Sequence, residues 1–404
     1  MNPQESLLVR AAQWLAFGSA AAILVSIAAS QILLGLALAV LLLSGQKLQL
    51  PPIRLPLGLF IVGTFLALAL SQDPAEGLPQ IRKLVIFAQL VVVFSALRDA
   101  RLIRWLFFTW AGLGAVTGAR GLAQFVQKVQ QAKAAGSDSY NYYVGERITG
   151  FMSHWNTFSA QEMFVLLMLV SFLFFGPQVK RVWVWIACGL VIATALLLAE
   201  TRAVWIGTAV AGLYLVWFWK RWAVALAPVA VLVIYFASPP VIRARFDSLL
   251  HPKSVDSNEF RMVTWRTGLR MIEAHPLTGL GPEIPRKEFD RWVPADIPRP
   301  LPTGSYIHLH NLYLQYAAER GIPVLLCMLW LLGKALFDFS RGIRRLPPGR
   351  SHRLFLLHGG VAVILASLAE GIAEYNLGDS EVLTMFLTVL ACSYLALEED
   401  AVKG

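Results

Sequence analysis

The stretch HLHNLYLQYAAERGIPVLL, from His308 to Leu326, contains the side chain best suited to catalysis. His310 and Asn311 are predicted in the first turn of a long apolar helix, where water meets lipid. A neutral imidazole there can accept a proton near neutral pH. Two alternatives stay open: a histidine that only caps the helix or lies at the interface, and a zinc site formed by His308 and His310. No third ligand stands at a convincing spacing, so we predict no metal.

Arginines suited to binding a phosphate occur in three further segments, of which two are connections between apolar runs. LLLAETRAVWIGTAVAG holds Arg202 in a short turn between two apolar runs, and YYVGERITGFMSHWNTFSAQE places Arg147 in a connection and Asn156 at the start of the next run. A guanidinium offers paired donors that match phosphate oxygens. These segments therefore indicate an anion site.

The third segment, NEFRMVTWRTGLRMIEAHPLTGLGPE, has helical periodicity. On a helix, Arg266 and Arg270 lie about 40° apart, whereas Arg261 lies about 140° from Arg266 and shares its side with Trp265. The three arginines therefore cannot all meet one ligand. An amphipathic helix lying on anionic lipid is the alternative for this segment.

The composition indicates that most of the chain is solvated by lipid. Of 404 residues, 57% are hydrophobic and 15% are charged, whereas ordinary soluble domains have roughly 25% charged residues. Soluble enzymes, disordered chains and small disulfide-rich secreted domains are excluded. The net charge of +10 does not indicate a nucleic-acid partner, because the basic residues lie mainly between apolar runs, as membrane topology requires. We predict one all-α polytopic membrane domain over residues 1–404.

Apolar runs long enough to cross a bilayer position these residues. We predict about twelve spans, at 12–28, 31–44, 55–71, 82–97, 105–126, 157–176, 182–198, 203–219, 222–237, 310–338, 354–373 and 381–397. The first two meet at Ser30 and Gln31 and are predicted to form a tight hairpin. One side of this arrangement carries sixteen Lys and Arg residues, and the other carries six when the long loop after residue 237 is left out. Both termini are therefore predicted in the cytoplasm.

Two connections on the outer side are too long to be simple turns. They are a shorter loop at 127–156 and a large loop at 238–309, which contains a predicted helix at about 257–274 with Ser257 or Asn258 as its cap and Pro276 beyond its end. Long connections are where function concentrates.

Nearly all ionisable residues in the spans share one depth, at the outer ends, and Lys334 is the main exception. Those at the outer ends are Lys83, Arg120, Glu162, Arg202, Glu370 and Glu374. Charges in spans are costly and usually functional. An ion-coupled transporter would place them near the midplane instead. Cations and a histidine at the outer face suit a lipid-linked pyrophosphate, with its sugar outside and its polyprenyl tail in the bilayer.

At these residues the sequence resembles the O-antigen ligase and polymerase superfamily of bacterial envelope glycosyltransferases, over most of the chain. The segments that carry the resemblance are ERITGFMSHWNTFSA at 146–160, ETRAVWIG at 200–207, FRMVTWRTGLRMIEAHPLTGLGPE at 260–283 and HLHNLYLQYAAERGIP at 308–323. Thr201 stands where many relatives have Ser, which keeps the hydroxyl. A chain of this length with a single large loop before the tenth span is most similar to the ligases.

The resemblance implies a GT-C-like fold in the bacterial inner membrane, with the large loop and active site in the periplasm. It implies transfer of O-antigen polysaccharide from undecaprenyl pyrophosphate to the lipid A-core acceptor, with inversion and without cofactor or metal. It assigns the essential histidine to His310. The pyrophosphate ligands that it implies are Arg202, Arg261, Lys83, Arg147 and Arg266, with supporting roles for Asn311, Asn156 and Trp265.

Three alternatives remain open at this point. A polymerase that joins O-units and a ligase that glycosylates protein belong to the same superfamily and differ in the acceptor. A lipid or polysaccharide transporter would also account for twelve spans and basic outer loops, and a scaffold for envelope assembly would need neither His310 nor Arg202.

Overall fold

A computed structural model describes residues 3–250 and 258–398, and these residues form helices and connections with no strand. Ten α-helices make up the first half: α1 (Pro3–Ala22), α2 (Ile27–Leu43), α3 (Arg54–Ala69), α4 (Pro74–Lys83), α5 (Ala88–Ala96), α6 (Ala100–Ala134), α7 (Ser139–Gly145), α8 (Trp155–Phe175), α9 (Val182–Leu198) and α10 (Arg202–Trp219). Nine follow: α11 (Ala227–Ala237), α12 (Pro240–Leu250), α13 (Asn258–Ala274), α14 (Ile284–Lys287), α15 (Phe289–Trp292), α16 (Leu312–Arg320), α17 (Ile322–Arg345), α18 (His352–Glu370) and α19 (Ser380–Leu395).

Six helical segments of the described residues are long and apolar enough to cross a membrane, namely Pro74–Ala96, Ala100–Ala134, Trp155–Phe175, Arg202–Trp219, Ile322–Arg345 and His352–Glu370. Five shorter apolar segments accompany them, at Ile27–Leu43, Arg54–Ala69, Val182–Leu198, Arg221–Ala237 and Ser380–Leu395. This pattern is that of a polytopic membrane protein. The predicted count of twelve spans stays a prediction.

The first two predicted spans form a hairpin, but its turn lies earlier than Ser30. α1 ends at Ala22 and α2 begins at Ile27, because the Ser26 hydroxyl accepts a hydrogen bond from Ala29 N and caps α2. Ser30 therefore lies inside α2, where its hydroxyl donates to Ser19 O at 2.8 Å.

α18 lies at the centre of the bundle, packed against α8, α10, α17 and α19. Its glycines allow this close packing: a Cβ on Gly359 would lie 2.5 Å from Met168 Sδ, and one on Gly360 would lie 2.3 Å from Ser393 Oγ. Small residues at contact points are the usual means by which membrane helices approach each other.

The predicted tenth span at 310–338 was wrong as one continuous helix, because it breaks at Gly321 into α16 and α17. Gly321 has φ +83°, and a Cβ there would lie 2.1 Å from Leu277 O, so the site requires glycine. The break exposes backbone groups that the large loop satisfies. Ile322 N donates to Pro276 O at 2.8 Å, and Leu280 N donates to Ala318 O at 2.8 Å.

The two long connections contain helices of their own. α6 continues to Ala134 and α7 follows it within 127–156, while α12, α13, α14 and α15 lie within 238–309. The helix predicted at about 257–274 is α13, and Ser257, one of its two predicted caps, lies outside the described residues. α13 packs against α16 and α15 through a small apolar cluster that includes Met271, Leu309 and Ala318.

Candidate active site

The end of the bundle where α8, α10 and α16 begin and α18 ends is hereafter called the site end. The carboxylate of Glu374 lies there and connects four elements of the chain. Its Oε2 lies 3.2 Å from His310 Nδ1 and accepts a hydrogen bond from Asn156 Nδ2, also at 3.2 Å. Its Oε1 accepts from Arg261 Nη2. The side chain is 5% exposed. Residues from the start of α8, from α13, from before α16 and from after α18 therefore meet on one carboxylate.

The charge on Glu374 is maintained by its neighbours. Burial raises the pKa of this carboxyl, but the cation of Arg261, the hydrogen bond from His310 and the charge of Arg147 outweigh burial, and the resulting pKa is about 2. Glu374 is therefore ionised at any physiological pH.

His310 lies in a strained backbone conformation outside any helix. It precedes α16, with φ +47°, a left-handed value that is rare for a residue with a Cβ. This corrects the prediction that His310 and Asn311 occupy the first turn of a membrane helix, and the cause is the break at Gly321. The second ring nitrogen, Nε2, lies 3.0 Å from Ser305 O. Because both ring nitrogens face acceptors, the two contacts together suit an imidazolium.

The two predicted supporting asparagines hold backbone and side chains in place. Asn311 is the N-cap of α16, where its Oδ1 accepts from Tyr313 N and Leu314 N, and its Nδ2 donates to Ile372 O at 2.7 Å. Asn156 donates to Glu374 and lies 3.4 Å from the Thr201 hydroxyl, which donates to Asn156 Oδ1. Both asparagines therefore connect the turn after α18 to neighbouring helices.

α13 directs its arginines to two separate places, as the helical angles predicted. Arg261 reaches Glu374, and on the same side Trp265 Nε1 donates to His310 O at 3.2 Å. Arg266 instead pairs with Asp296 at 2.7 Å, in an exposed ion pair of the large loop. Arg261 Nε is buried and makes no hydrogen bond to any described residue. Of these arginines, Arg261 is the one brought to His310, with a donor to spare.

Arg202 contacts the large loop. Its Nη2 donates to Asn258 Oδ1 at 2.6 Å and its Nη1 donates to Ser248 O at 3.3 Å, so it joins the start of α10 to the start of α13 and to α12. It lies at the site end, and in this structure it positions the helix that carries Arg261.

Arg147 lies beneath the surface near Glu374. Its guanidinium carbon lies 5.1 Å from the centroid of the Trp155 ring, and its Nε donates to Val144 O at 3.1 Å. Burial lowers the pKa of Arg147 to about 10, and the charge of Arg245 acts in the same direction. The guanidinium is still a cation at neutral pH and adds positive charge on this side of the site.

Lys83 lies on the other side, beside His308. Its Nζ donates to Gly378 O at 3.2 Å. Burial lowers the pKa of His308 to about 4, and the charges of His310, Lys83 and Arg286 act in the same direction. His308 is therefore a neutral imidazole at pH 7.

A groove of about 370 Å³ opens next to Lys83, between α2 and the C-terminal end of α4. Arg82, Lys83, Gln31 and Ser380 supply its polar lining. The rest is apolar or lacks a side chain: Leu34, Gly35, Leu38, Val85, Ile86 and Ala88. The groove thus joins a cationic region to the apolar surface of the bundle.

Four site residues were not identified as such from the sequence: Glu374, Asp379, Thr157 and Arg286. Glu374 stood among the carboxylates at the outer ends of spans, and that depth was the only signal for it. Asp379 accepts from Thr157 Oγ1 at 2.8 Å, and burial raises its pKa to about 6. No group of three or more His, Cys, Asp and Glu side chains within the described ranges is arranged to hold a metal ion.

The comparison with family models gives a match to the O-antigen ligase family over residues 186–329. The matched range runs from α9 into α17 and contains Arg202, Arg261, Trp265 and His310. Lys83, Arg147, Asn156 and Glu374 lie outside it. No curated protein matches the chain. This match confirms the resemblance seen in the sequence and supports the O-antigen ligase superfamily over residues 186–329.

Proposed function

We propose that this protein is a glycosyltransferase that moves O-antigen polysaccharide from undecaprenyl pyrophosphate to the lipid A-core, at the periplasmic face of the bacterial inner membrane. The observation that carries the proposal is the meeting of His310 and Arg261 on the buried carboxylate of Glu374. Both residues lie in the range that matches the ligase family. Their contact with the same carboxylate supports a site in which a proton acceptor lies beside an anion-binding guanidinium.

In the proposed reaction, the acceptor hydroxyl attacks the anomeric carbon as the bond from that carbon to the pyrophosphate oxygen breaks. The electron pair leaves with undecaprenyl pyrophosphate, and the hydroxyl proton passes to His310. Attack opposite to the leaving group inverts the anomeric carbon. Glu374 would hold Nδ1 protonated, so that Nε2 is the accepting atom. For this step, His310 must be neutral and its Nε2 must exchange Ser305 O for the acceptor hydroxyl.

The pyrophosphate would bind among the cations around His310. Arg261 offers its buried Nε, and Arg147 and Lys83 add charge from either side. Such preorganised donors stabilise charge that develops on a leaving group. Arg202 would support them by positioning α13, and would contact phosphate itself only by exchanging Asn258. Arg266, which pairs with Asp296, has no part in this arrangement.

The groove beside Lys83 suits the lipid part of the donor. Its cationic side would take the pyrophosphate and its apolar lining would take the first isoprene units. A donor bound in this way would reach the site from within the bilayer, while the acceptor approaches from the large loop.

A reconstituted assay tests the function. Purified protein is incubated with undecaprenyl-pyrophosphate-linked glycan and one of three acceptors: lipid A-core, a second lipid-linked glycan, or pilin. We expect glycan-modified lipid A-core with the wild type and none with His310→Ala at equal protein levels. Product with only the second or third acceptor would replace the ligase by a polymerase or a protein ligase. Glycan movement across vesicles without bond formation would identify a transporter.

A further inference from the structure

The backbone next to His310 is held from two helices. Leu309 N donates to Gln315 Oε1 at 2.8 Å, from α16. From α13, the Thr264 hydroxyl lies 3.2 Å from Leu309 O, and Trp265 Nε1 donates to His310 O. A left-handed conformation at a residue with a Cβ persists only where its surroundings enforce it. These contacts supply that enforcement.

Gln315 is itself oriented by a buried ion pair. Its Nε2 donates to Glu319 Oε1 at 2.8 Å, and Glu319 Oε2 accepts from Arg320 Nη1. Because an ionised carboxylate only accepts hydrogen bonds, it determines which end of the amide faces it. The carbonyl end of Gln315 is thus directed at Leu309 N. Gln315 and Glu319 are each 1% exposed, so neither meets solvent or substrate.

Thr264 connects His310 with Arg261. Its hydroxyl lies 2.9 Å from Arg261 O and 3.2 Å from Leu309 O, so one proton is shared between the two carbonyls. The turn of α13 that carries Arg261 and the segment that carries His310 are therefore held in one register. Thr264 is fully buried and does not face the site.

We propose that Thr264 and Gln315 are positioning residues, which hold the backbone of Leu309 and His310 so that the imidazole meets Glu374 through Nδ1 and directs Nε2 away from that carboxylate. The inference rests on the proposed function. It assigns to the Glu319–Arg320 ion pair the task of orienting Gln315. Both side chains are buried: Gln315 acts through the segment that carries His310, and Thr264 acts through that segment and the turn that carries Arg261.

The first test compares two threonines on α13. Thr264→Val keeps the shape of the side chain and removes its hydroxyl, whereas Thr267→Val removes a buried hydroxyl that makes no hydrogen bond to the described residues. We expect Thr264→Val to lower kcat roughly tenfold or more, as small misplacements of a reacting group do, with the KM values unchanged within about twofold. Thr267→Val should retain the wild-type kcat.

A second pair of variants tests the contact that Gln315 of α16 makes with Leu309. Gln315→Met removes both of its hydrogen bonds, and Gln89→Met is the matched control, because buried Gln89 in α5 also makes two, with Ser19 and Thr388. Both variants are expected to lower the melting temperature. Only Gln315→Met should also lower kcat per folded molecule.

A readout that needs no glycan substrate separates this inference from the proposed function. Diethyl pyrocarbonate modification, read by mass spectrometry of each histidine-containing peptide, should proceed severalfold faster at His310 in Thr264→Val and Gln315→Met, with His275 unchanged. This result would support positioning even if the transferase assay fails. Normal kcat and normal His310 reactivity in either folded variant would overturn it and leave a packing role only.

Discussion

Glu374 binds His310 across 64 residues of sequence, with its Oε2 3.2 Å from the imidazole Nδ1. The same carboxylate receives Arg261 on its other oxygen. A carboxylate in this position keeps a proton on Nδ1 and directs Nε2 elsewhere. The proton acceptor and the anion-binding guanidinium of the proposed reaction are thus oriented by one residue.

Replacing Glu374 tests this dependence. Glu374→Gln keeps the size of the side chain but removes the charge that fixes the imidazole and Arg261. We expect kcat to fall roughly 100-fold, within the range of a lost acid or base group. Glu146→Gln is the control, since Glu146 is an exposed carboxylate paired with Lys128. Wild-type kcat in a folded Glu374→Gln protein would show that His310 needs no carboxylate.

The two arginines of α13 allow a matched comparison. Arg261→Gln should lower kcat/KM roughly 100-fold, because it removes the guanidinium that the proposed reaction uses to bind the leaving pyrophosphate. Arg266→Gln should change kcat/KM by less than about threefold, since exposed ion pairs such as that with Asp296 contribute little. Initial rates over a range of donor concentrations measure both. Equal losses in the two variants would mean that Arg266 leaves Asp296 to bind the donor.

His308 gives a stability prediction with a defined sign. Burial lowers the pKa of this imidazole from its ordinary value of 6.5 to about 4 in the folded chain. Between these pH values His308 binds a proton in the unfolded chain but not in the folded chain. The free energy of unfolding therefore falls as the pH falls. The full effect of this one group is about 3 kcal/mol, reached below pH 4 and absent above pH 6.5.

We therefore expect the melting temperature of His308→Gln to fall less than that of the wild type when the pH drops from 7.5 to 4.5. Differential scanning fluorimetry in one detergent measures this, with His275→Gln as the control. A parallel decline in all three proteins would show that His308 is accessible to protons in the folded state. The kcat profile between pH 5.5 and 8 should contain no limb from His308, because it is neutral throughout.

Hydropathy and helical angle predicted much of this structure, because both report on local properties. Apolar runs marked the membrane helices, and the 100° step along α13 separated Arg261 and Trp265 from Arg266. The same local reasoning explains the failure at 310–338. There Glu319 and Arg320 precede Gly321, and the span prediction passed over this polar interruption, while the contacts that hold the break come from Leu277 and Pro276 of the large loop.

Local sequence patterns could not predict which distant residues the site residues contact. Glu374 meets Arg261 only because the turn after α18 packs against α13, and Arg266 finds Asp296 only because the large loop folds back on itself. These pairings arise from tertiary contacts over 113 and 30 residues. A single sequence indicates that Glu374 lies at the end of an apolar run, but it does not show which residues Glu374 contacts.

The groove beside Lys83 yields the last prediction, which concerns the length of the donor lipid. Gly35 lines the groove on α2, and a side chain there meets open space, so Gly35→Trp fills the groove without disturbing the helix packing. Gly212→Trp is the matched control, since Gly212 lies within α10 and also faces open space. If isoprene units pack in the groove, Gly35→Trp should raise the KM for an undecaprenyl donor roughly tenfold, equivalent to about 1.4 kcal/mol of binding.

A donor with a chain of two or three isoprene units should be affected far less, because most of its lipid lies outside the contact. Equal KM values for both donors in Gly35→Trp and Gly212→Trp would place the lipid elsewhere on the bundle, while an equal fall in kcat with both donors would point to distortion of Lys83 rather than to lipid binding.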